Sequence, residues 1–471
     1  MPRSATAVRR RPDDTVANVP VRPVAILGGW RQRGFALSCP GVTRPGLLAS
    51  VLRWLTVAVV SLFALAVTLV AVVVPYRFWD SLAFGAWSRS IAKGGDIWAD
   101  AEPLKASRPL FYVPQGLLWR VAEDEWIGRL LSASFAALLV WAVWQLGRQV
   151  SPERPARDIL PPLAVLSLLT SAVLATYAAA GMTDVPVAAA SAATAVVLWS
   201  RLPPRALIPF AALGAATTIL AKPSGLLALG GLVLATAVLR GRAAIFGLVG
   251  AAIGIAMGIL YDAWQAARLD VGLVDLLRAG NDDFWLERGA AARFDAIAGG
   301  AWIGDGARLL VIYGLAHAIS RAAGAGVRVA LGVGAVAAIL WSVAGPLAAD
   351  GELGYPFDGS ALGIAAWVAL AAALISAPFL ASEDPIPRRT QVALLVWLAP
   401  TAFVWATQRP DEPRLLAPAW PAFALLTAAA LASASLALLR FRRAPPRRTG
   451  AGGGGSRSGA RERRLRRRTG T

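Results

Sequence analysis

The chain has almost no sulfur or imidazole chemistry. Cys39 is its only cysteine and His317 its only histidine in 471 residues. A lone cysteine excludes an intrachain disulfide, and the two residues together cannot build a cysteine–histidine metal site. His317 lies late in an apolar run, where a packing role is expected. Any metal would therefore need carboxylate ligands, and any catalysis would depend on acidic, basic or hydroxyl side chains.

Several sequence patterns are also missing. No glycine-rich loop of the Walker type occurs, and no strand is followed by a glycine-rich helix start, which disfavours a nucleotide-driven machine. Segments of alternating polarity are absent, which disfavours a β-barrel. No internal repeat is visible, and this weakens the case for a transporter built from two related halves.

Long apolar runs are the dominant feature. The chain is 56% hydrophobic and only 16% charged, with a mean hydropathy of +0.56. A membrane-spanning helix needs about 20 apolar residues. We predict an all-α polytopic membrane protein with about twelve spans (ten to thirteen), at 54–74, 128–146, 159–179, 185–199, 205–220, 223–239, 243–261, 307–320, 327–348, 360–380, 391–407 and 415–439.

The net charge of +19 is concentrated in the two tails. Residues 1–53 hold nine arginines against two aspartates, and residues 440–471 hold twelve against one glutamate. Clustered arginine beside a span marks the cytoplasmic side. We therefore predict two basic cytoplasmic tails, the second one disordered, around a nearly neutral membrane domain at 54–439. RNA binding by the second tail is the weaker interpretation.

The positive-inside rule fixes the predicted sidedness. With the N-terminus inside, every inner loop carries arginine, and twelve crossings return the C-terminus to the cytoplasm. The first span follows a long tail, so it reads as an uncleaved anchor. The large outer loops are then 75–127 and 262–306. The charged residues at the extracytoplasmic ends are Asp80, Asp184, Lys222, Asp262 and Arg414.

The first outer loop is the most informative segment. Apolar residues at helical spacing predict a surface helix over 81–92 that ends at Gly94-Gly95, and a second helix begins after Ser107. Asp80 is well placed to be the N-cap of the first helix, and spacing alone favours that role over catalysis. Asp184, next to Val185-Pro186, is open to a similar N-cap interpretation.

Four stretches in order resemble one enzyme family. They are Asp80 with the following helix, Gly-Gly-Asp-Ile-Trp and Arg108-Pro-Leu-Phe-Tyr; Met-Thr-Asp184-Val-Pro; Ala-Lys222-Pro-Ser-Gly; and Glu-Pro-Arg414-Leu-Leu-Ala-Pro. This arrangement resembles the GT-C fold glycosyltransferases, which include the dolichyl-phosphate-mannose protein mannosyltransferases and the aminoarabinose transferases. The chain departs from that pattern at Ser81, where a second acidic residue is common, and at Leu415, where tyrosine is usual. A large soluble C-terminal domain is also not expected from the residues after the last predicted span.

The resemblance implies a function. It implies transfer of a sugar, with mannose or arabinose as the guesses, from a polyprenyl-phosphate carrier to an extracytoplasmic hydroxyl of a protein, glycolipid or polysaccharide, at a bacterial plasma membrane. Asp80 is implied as the general base, and Asp184 would orient the acceptor, hold Lys222 or Arg414, or share a metal with Asp80. Lys222, Arg414 and Arg108 are implied to bind the donor phosphate. The resemblance implies no definite cofactor, and a divalent cation held by carboxylates stays open.

Simpler interpretations stand beside these roles. Lys222 could snorkel at a helix end, Arg414 could pair with Asp411 or Glu412, and Arg108 could contact lipid phosphates. Solvated loop charges are the simpler interpretation of five other acids, Asp96, Asp100, Glu102, Asp282 and Asp283. The unusually short spans 185–199 and 205–220 favour a wet outer pocket over lipid.

Two other functional classes remain. A twelve-helix secondary transporter or lipid-linked sugar flippase predicts charges near the middle of spans, whereas a non-catalytic scaffold requires no shared position for Asp80 and Asp184.

Overall fold

The computed structural model describes residues 44–73, 79–94, 108–121, 125–151, 156–169, 177–179, 182–274, 386–408 and 413–441, and the single positions 153 and 174. Several sequence-based predictions lie outside these residues: the spans 307–320, 327–348 and 360–380, most of both tails, Cys39, His317, and the acids Asp96, Asp100, Glu102, Asp282, Asp283, Asp411 and Glu412.

All regular secondary structure in the described residues is helical. In chain order the helices are α1 (Arg44–Val73), α2 (Trp79–Ala92), α3 (Pro109–Trp119), α4 (Glu125–Val150), α5 (Ala156–Leu169), α6 (Asp184–Trp199), α7 (Pro204–Ala221), α8 (Gly225–Arg240), the 3₁₀ helix η1 (Gly241–Ala244), α9 (Ile245–Arg268), α10 (Arg388–Gln408), the 3₁₀ helix η2 (Pro413–Ala419) and α11 (Trp420–Phe441).

Five stretches of the described chain are long and apolar enough to cross a membrane: Gly46–Val73, Gly128–Val150, Pro204–Ala221, Gly225–Arg268 and Leu416–Ser433. The stretch Gly225–Arg268 contains both α8 and α9, and the shorter α6 is also apolar. An all-α, multi-pass membrane protein is thereby confirmed. The total of twelve spans stays a prediction, because three of them lie outside the described residues.

Two described helices extend beyond the predicted spans by seven residues or more. Helix α1 begins at Arg44, ten residues before the predicted start, because an arginine at position 53 interrupts an otherwise helical pattern. Helix α9 continues to Arg268, although the prediction ended this span at 261. Asp262 therefore lies inside a helix, two turns before its end, and not in a loop.

Helix α6 is the interior element of the bundle. It packs against α4, α7, α8 and η2, and most of its residues are buried. Its side chains are mainly alanine and valine, which allow neighbouring backbones to approach closely. A helix of only 16 residues is acceptable here because protein, and not lipid, surrounds it. Asp184 is the first residue of this helix.

Helices α7 and α9 meet along a seam of glycines. A Cβ atom on Gly250 would come within 2.9 Å of the Ala211 Cβ, and one on Gly254 within 2.8 Å of the Ala215 Cβ. Gly258 faces Ile219 in the same way. The residue numbers of the contacting pairs increase in the same direction along both helices, so α7 and α9 run parallel.

The first outer loop contains the two helices that the sequence predicts. Helix α2 packs on α3, with the Ser88 hydroxyl donating to the Tyr112 carbonyl at 3.2 Å and the Trp87 and Tyr112 rings meeting edge to face. A turn follows α2, and Gly94 adopts a φ of +87°, which glycine tolerates best. Helix α3 in turn contacts α4 and α7, so this helical pair is attached to the bundle.

Candidate functional site

Hydrogen bonds between helices place the candidate segments at one end of the bundle. Arg129, near the start of α4, donates to the carbonyl of Ala71 near the end of α1 at 3.0 Å. Gln149, near the end of α4, donates to Val196 near the end of α6 at 3.1 Å. Helices α4 and α6 are therefore parallel, and the end of α1, the start of α4 and the start of α6 lie at the same end, called here the site end.

The site end contains a buried ion pair. The Lys222 ammonium nitrogen lies 2.5 Å from Oδ1 of Asp184, and the Asp184 side chain is 1% exposed. Asp184 begins α6, whereas Lys222 directly follows α7. Because these helices are antiparallel neighbours, the start of α6 and the end of α7 bring together two charges that are 38 residues apart. Within the described residues, Oδ2 of Asp184 accepts no hydrogen bond.

Two simpler interpretations of this pair were wrong. Asp184 is not the N-cap of α6, because Thr183 occupies that position and Asp184 is the first helical residue. Lys222 does not snorkel towards solvent, because its side chain is 10% exposed and its ammonium group binds Asp184. Among the roles considered for Asp184, holding Lys222 is the one that this geometry realises.

The segment that carries Arg414 approaches the same helices. Arg414 belongs to η2, which packs against α6 and α10 and also contacts α8. Proline at the start and near the end of η2 favours a short, tight helix over an α-helix. The backbone at Arg414 therefore lies near α6, the helix that begins at Asp184. The Arg414 side chain lies outside the described residues.

Asp80 lies on α2 and not at its cap. Helix α2 begins at Trp79, so the predicted N-cap role of Asp80 was wrong and this residue is in the first helical turn. Its side chain lies outside the described part. Only five residues separate the end of α1 from α2, so the backbone of Asp80 stays near the site end.

Helix α3 contributes Arg108 and Tyr112. Arg108 immediately precedes α3, is partly buried and makes no side-chain capping bond. Tyr112 is fully buried, and burial raises the pKa of its hydroxyl to about 12, partly offset by the nearby Tyr261 hydroxyl on α9. The Tyr112 hydroxyl therefore keeps its proton at neutral pH. Its proximity to Tyr261 also shows that α3 reaches the outer end of α9.

Sequence reasoning missed three buried polar residues at this end. Arg129 was counted as part of an apolar span, and Asp262 and Gln265 were assigned to a loop. All three are at least 97% buried. The signal available in the sequence was the spacing of Gly258, Asp262 and Gln265, which places them on one helical face.

The opposite end of the bundle is rich in arginine. Arg240 donates to the carbonyls of Leu198 and Ser200 beyond the end of α6, and Arg389 donates to Val238. Arg53 pairs with Asp158 at 2.7 Å. These contacts agree with the predicted cytoplasmic side, although the direction of insertion itself stays a prediction.

A metal site is not evident in the described part of the chain, where no three acidic, histidine or cysteine side chains cluster. The divalent cation suggested by the resemblance stays a prediction.

Comparison with known proteins finds similar solved structures and no matching family. No protein-family description and no curated protein matches the chain. Two solved structures are similar: ArnT from Cupriavidus metallidurans bound to undecaprenyl phosphate, at 17% identity over 82% of this chain and 78% of that one, and the same protein in the apo state, at 19% identity over 83% and 78%. Both have a TM-score of 0.43, too low to support any detail of the site.

Proposed function

We propose that this protein is a membrane glycosyltransferase that moves a sugar, with mannose or arabinose as the first candidates, from a polyprenyl-phosphate carrier to a hydroxyl of an extracytoplasmic acceptor. The acceptor would be a protein, a glycolipid or a polysaccharide. The proposal combines the sequence resemblance with one structural observation, the buried pair of Asp184 and Lys222.

The ion pair supports the proposal because of its position. Burying two charges costs free energy unless they are paired and hydrogen-bonded. Charged side chains at membrane depth commonly belong to a binding or catalytic site. The pair lies at the site end, next to η2 with Arg414 and near α3 with Arg108. The three residues that the resemblance assigns to donor phosphate lie on or beside segments that contact α6 or α7, which supports the proposal.

The chemistry assigns a role to each group. The acceptor oxygen attacks the anomeric carbon, the bond from that carbon to the phosphate oxygen breaks, and the acceptor proton passes to the Asp80 carboxylate. A general base of this kind contributes typically ~10²–10⁴-fold. The departing phosphate is a stable anion and needs cations more than an acid. A single displacement inverts the anomeric centre.

Lys222 and Asp184 act together in this scheme. An ammonium group has three N–H donors, so a bond to Asp184 is compatible with a bond to a phosphate oxygen. Asp184 would orient the ammonium group and offer its second oxygen to the acceptor hydroxyl. Arg414 and Arg108 would bind phosphate oxygens through their guanidinium groups.

The experiment is transfer by an Asp80→Asn variant. Proteoliposomes or membranes containing the protein receive radiolabelled polyprenyl-phosphate mannose or polyprenyl-phosphate arabinose, and label that moves from the carrier to acceptors is counted. We expect Asp80→Asn to lose about a hundredfold or more of the transfer rate, because asparagine cannot accept the acceptor proton.

The matched control is Asp158→Asn. Asp158 is also an aspartate in an ion pair, but it lies at the opposite end of the bundle. We expect it to transfer at the wild-type rate. Normal transfer by correctly inserted Asp80→Asn protein would refute the role of Asp80. Uptake of sugar into vesicles without any glycosylated product would favour the transporter or flippase.

A further inference from the structure

One face of α9 carries buried polar groups that the proposed mechanism does not use. Asp262 is 1% exposed and Gln265 is fully buried. Within the described residues, the two carboxylate oxygens of Asp262 accept no hydrogen bond, and the Oε1 of Gln265 accepts none either. The Gln265 amide nitrogen donates to the Tyr261 hydroxyl at 2.8 Å. Three buried acceptor atoms on this helix therefore have no hydrogen-bond donor in the described part of the chain.

The register of α7 and α9 places this face beside the ion pair. Gly250 meets Ala211, Gly254 meets Ala215 and Gly258 meets Ile219, an offset of 39 residues each time. One helical turn beyond Gly258 on the same face lies Asp262, and the same offset places it level with position 223. Asp262 is thus at the depth of Lys222, although the ammonium group binds Asp184.

Such acceptors are costly to bury without donors. A buried carboxylate without a hydrogen-bond partner loses the free energy of its hydration, and no new bond offsets that loss. A buried amide oxygen without a donor has a smaller desolvation cost of the same kind. A lone carboxylate with one amide oxygen is a poor cation site, because Ca²⁺ and similar ions require six or more oxygen ligands. A ligand with several hydroxyl groups supplies the missing donors.

We propose that Asp262 and Gln265 form a subsite that binds the hydroxyl groups of a sugar ring. The inference deepens the proposed function and rests on it for the class of ligand. The Asp262 carboxylate accepts hydrogen bonds from neighbouring ring hydroxyls, and the Gln265 Oε1 accepts a third. Tyr112, protonated and close to Tyr261, forms the α3 side of the same region. Asp262 and Gln265 act as specificity-determining residues, and neither takes part in proton transfer.

The test measures binding without requiring transfer. Purified full-length protein in detergent is titrated with methyl α-mannopyranoside, methyl arabinofuranoside, sugar-free polyprenyl phosphate and the sugar-loaded carrier lipids, and thermal stabilisation gives the affinity. We expect Asp262→Asn and Gln265→Leu to weaken sugar binding roughly tenfold to a hundredfold, the effect of losing hydrogen bonds to a charged or buried acceptor. Binding of the sugar-free lipid should stay unchanged.

The matched control is Gln391→Leu. Gln391 is also a buried glutamine whose amide nitrogen makes one hydrogen bond and whose oxygen accepts none among the described residues, but it lies near the start of α10 at the opposite end. It should bind every ligand as the wild type does. Because both glutamines lose the same groups, an effect confined to Gln265 separates recognition from general destabilisation.

The outcomes distinguish donor from acceptor. Weaker binding of the sugar-loaded lipid, down to the affinity of the sugar-free lipid, assigns the subsite to the donor sugar. Weaker binding of the free glycosides alone assigns it to the acceptor. Equal binding by wild-type, Asp262→Asn and Gln265→Leu protein, or no sugar binding by the wild type, overturns the inference. The first of these results leaves Asp80-dependent transfer, and thus the proposed function, intact.

Discussion

At the scale of single residues, the buried contact between Asp184 and Lys222 joins the start of α6 to the end of α7. Asp184 and Lys222 were assigned to the same membrane face because the positive-inside rule and the count of crossings place both at extracytoplasmic ends of spans. Their direct contact could not be derived, since it depends on how two antiparallel helices pack. Asp262 was misplaced because an acidic residue after an apolar run resembles a loop start, whereas the helix continues to Arg268.

The contribution of the Asp184–Lys222 ion pair to the free energy of unfolding can be measured with variants of both residues. We expect Lys222→Met to lower the free energy of unfolding by about 3 kcal/mol or more, because it leaves a buried carboxylate without its cation. The double variant Asp184→Leu/Lys222→Met should recover much of this loss, since no charge then remains buried. Thermal unfolding in detergent, followed by circular dichroism, measures both.

The surface pair of Arg53 and Asp158 provides the control for this comparison. Its side chains are 54% and 31% exposed, so Asp158→Asn should cost less than about 1 kcal/mol. If Lys222→Met were as stable as Asp158→Asn, the pair at the site end would not hold the helices together. Transfer activity should stay low in the double variant even where stability returns.

At the scale of helices, periodicity and composition predicted most elements. The helical pair in the first outer loop, its end at Gly94 and the short interior helix α6 agree with the sequence within a few residues. Which helices touch was not predictable, because alanine and glycine occur on nearly every face. The contact of η2 with α6 depends on a 3₁₀ segment that the predicted span 415–439 did not separate from the helix that follows.

The glycine seam between α7 and α9 gives a prediction at this scale. Gly254→Ala would place a Cβ against the Ala212 carbonyl and 2.8 Å from the Ala215 Cβ. We expect the free energy of unfolding to fall by about 1–3 kcal/mol, because the two helices must separate. Gly230→Ala on α8 is the control, since nothing lies within 4 Å of its added Cβ. Equal thermal stability of the two variants would contradict this prediction, because α7 and α9 would then accommodate the added Cβ without loss of stability.

At the scale of the whole molecule, the order of helix ends was predictable and the direction of insertion is a matter for experiment. Hydrogen bonds place the end of α1 and the starts of α4 and α6 together, as the alternation of spans requires. Arginine collects at the other end through Arg53, Arg240 and Arg389. The positive-inside rule then predicts that the site end is extracytoplasmic.

Cysteine labelling tests this direction. Because Cys39 is the only native cysteine, Cys39→Ser yields a background without thiols. We expect Lys93→Cys, in the turn after α2, to react with a membrane-impermeant maleimide in intact cells. Arg201→Cys, between α6 and α7, should react only after the membrane is opened. The reverse pattern would place the ion pair in the cytoplasm and exclude an extracytoplasmic transferase.

The attachment of the first loop suggests how the proposed transferase could be inhibited. Among the described helices α2 packs mainly on α3, and α3 is fitted closely to α4, since Gly128 leaves no room beside Gln115. A compound that wedges into this contact would push both loop helices away together. In the proposed transferase it would move the segment of Asp80 away from the acceptor, and so inhibit from the predicted extracytoplasmic side without competing with the carrier lipid.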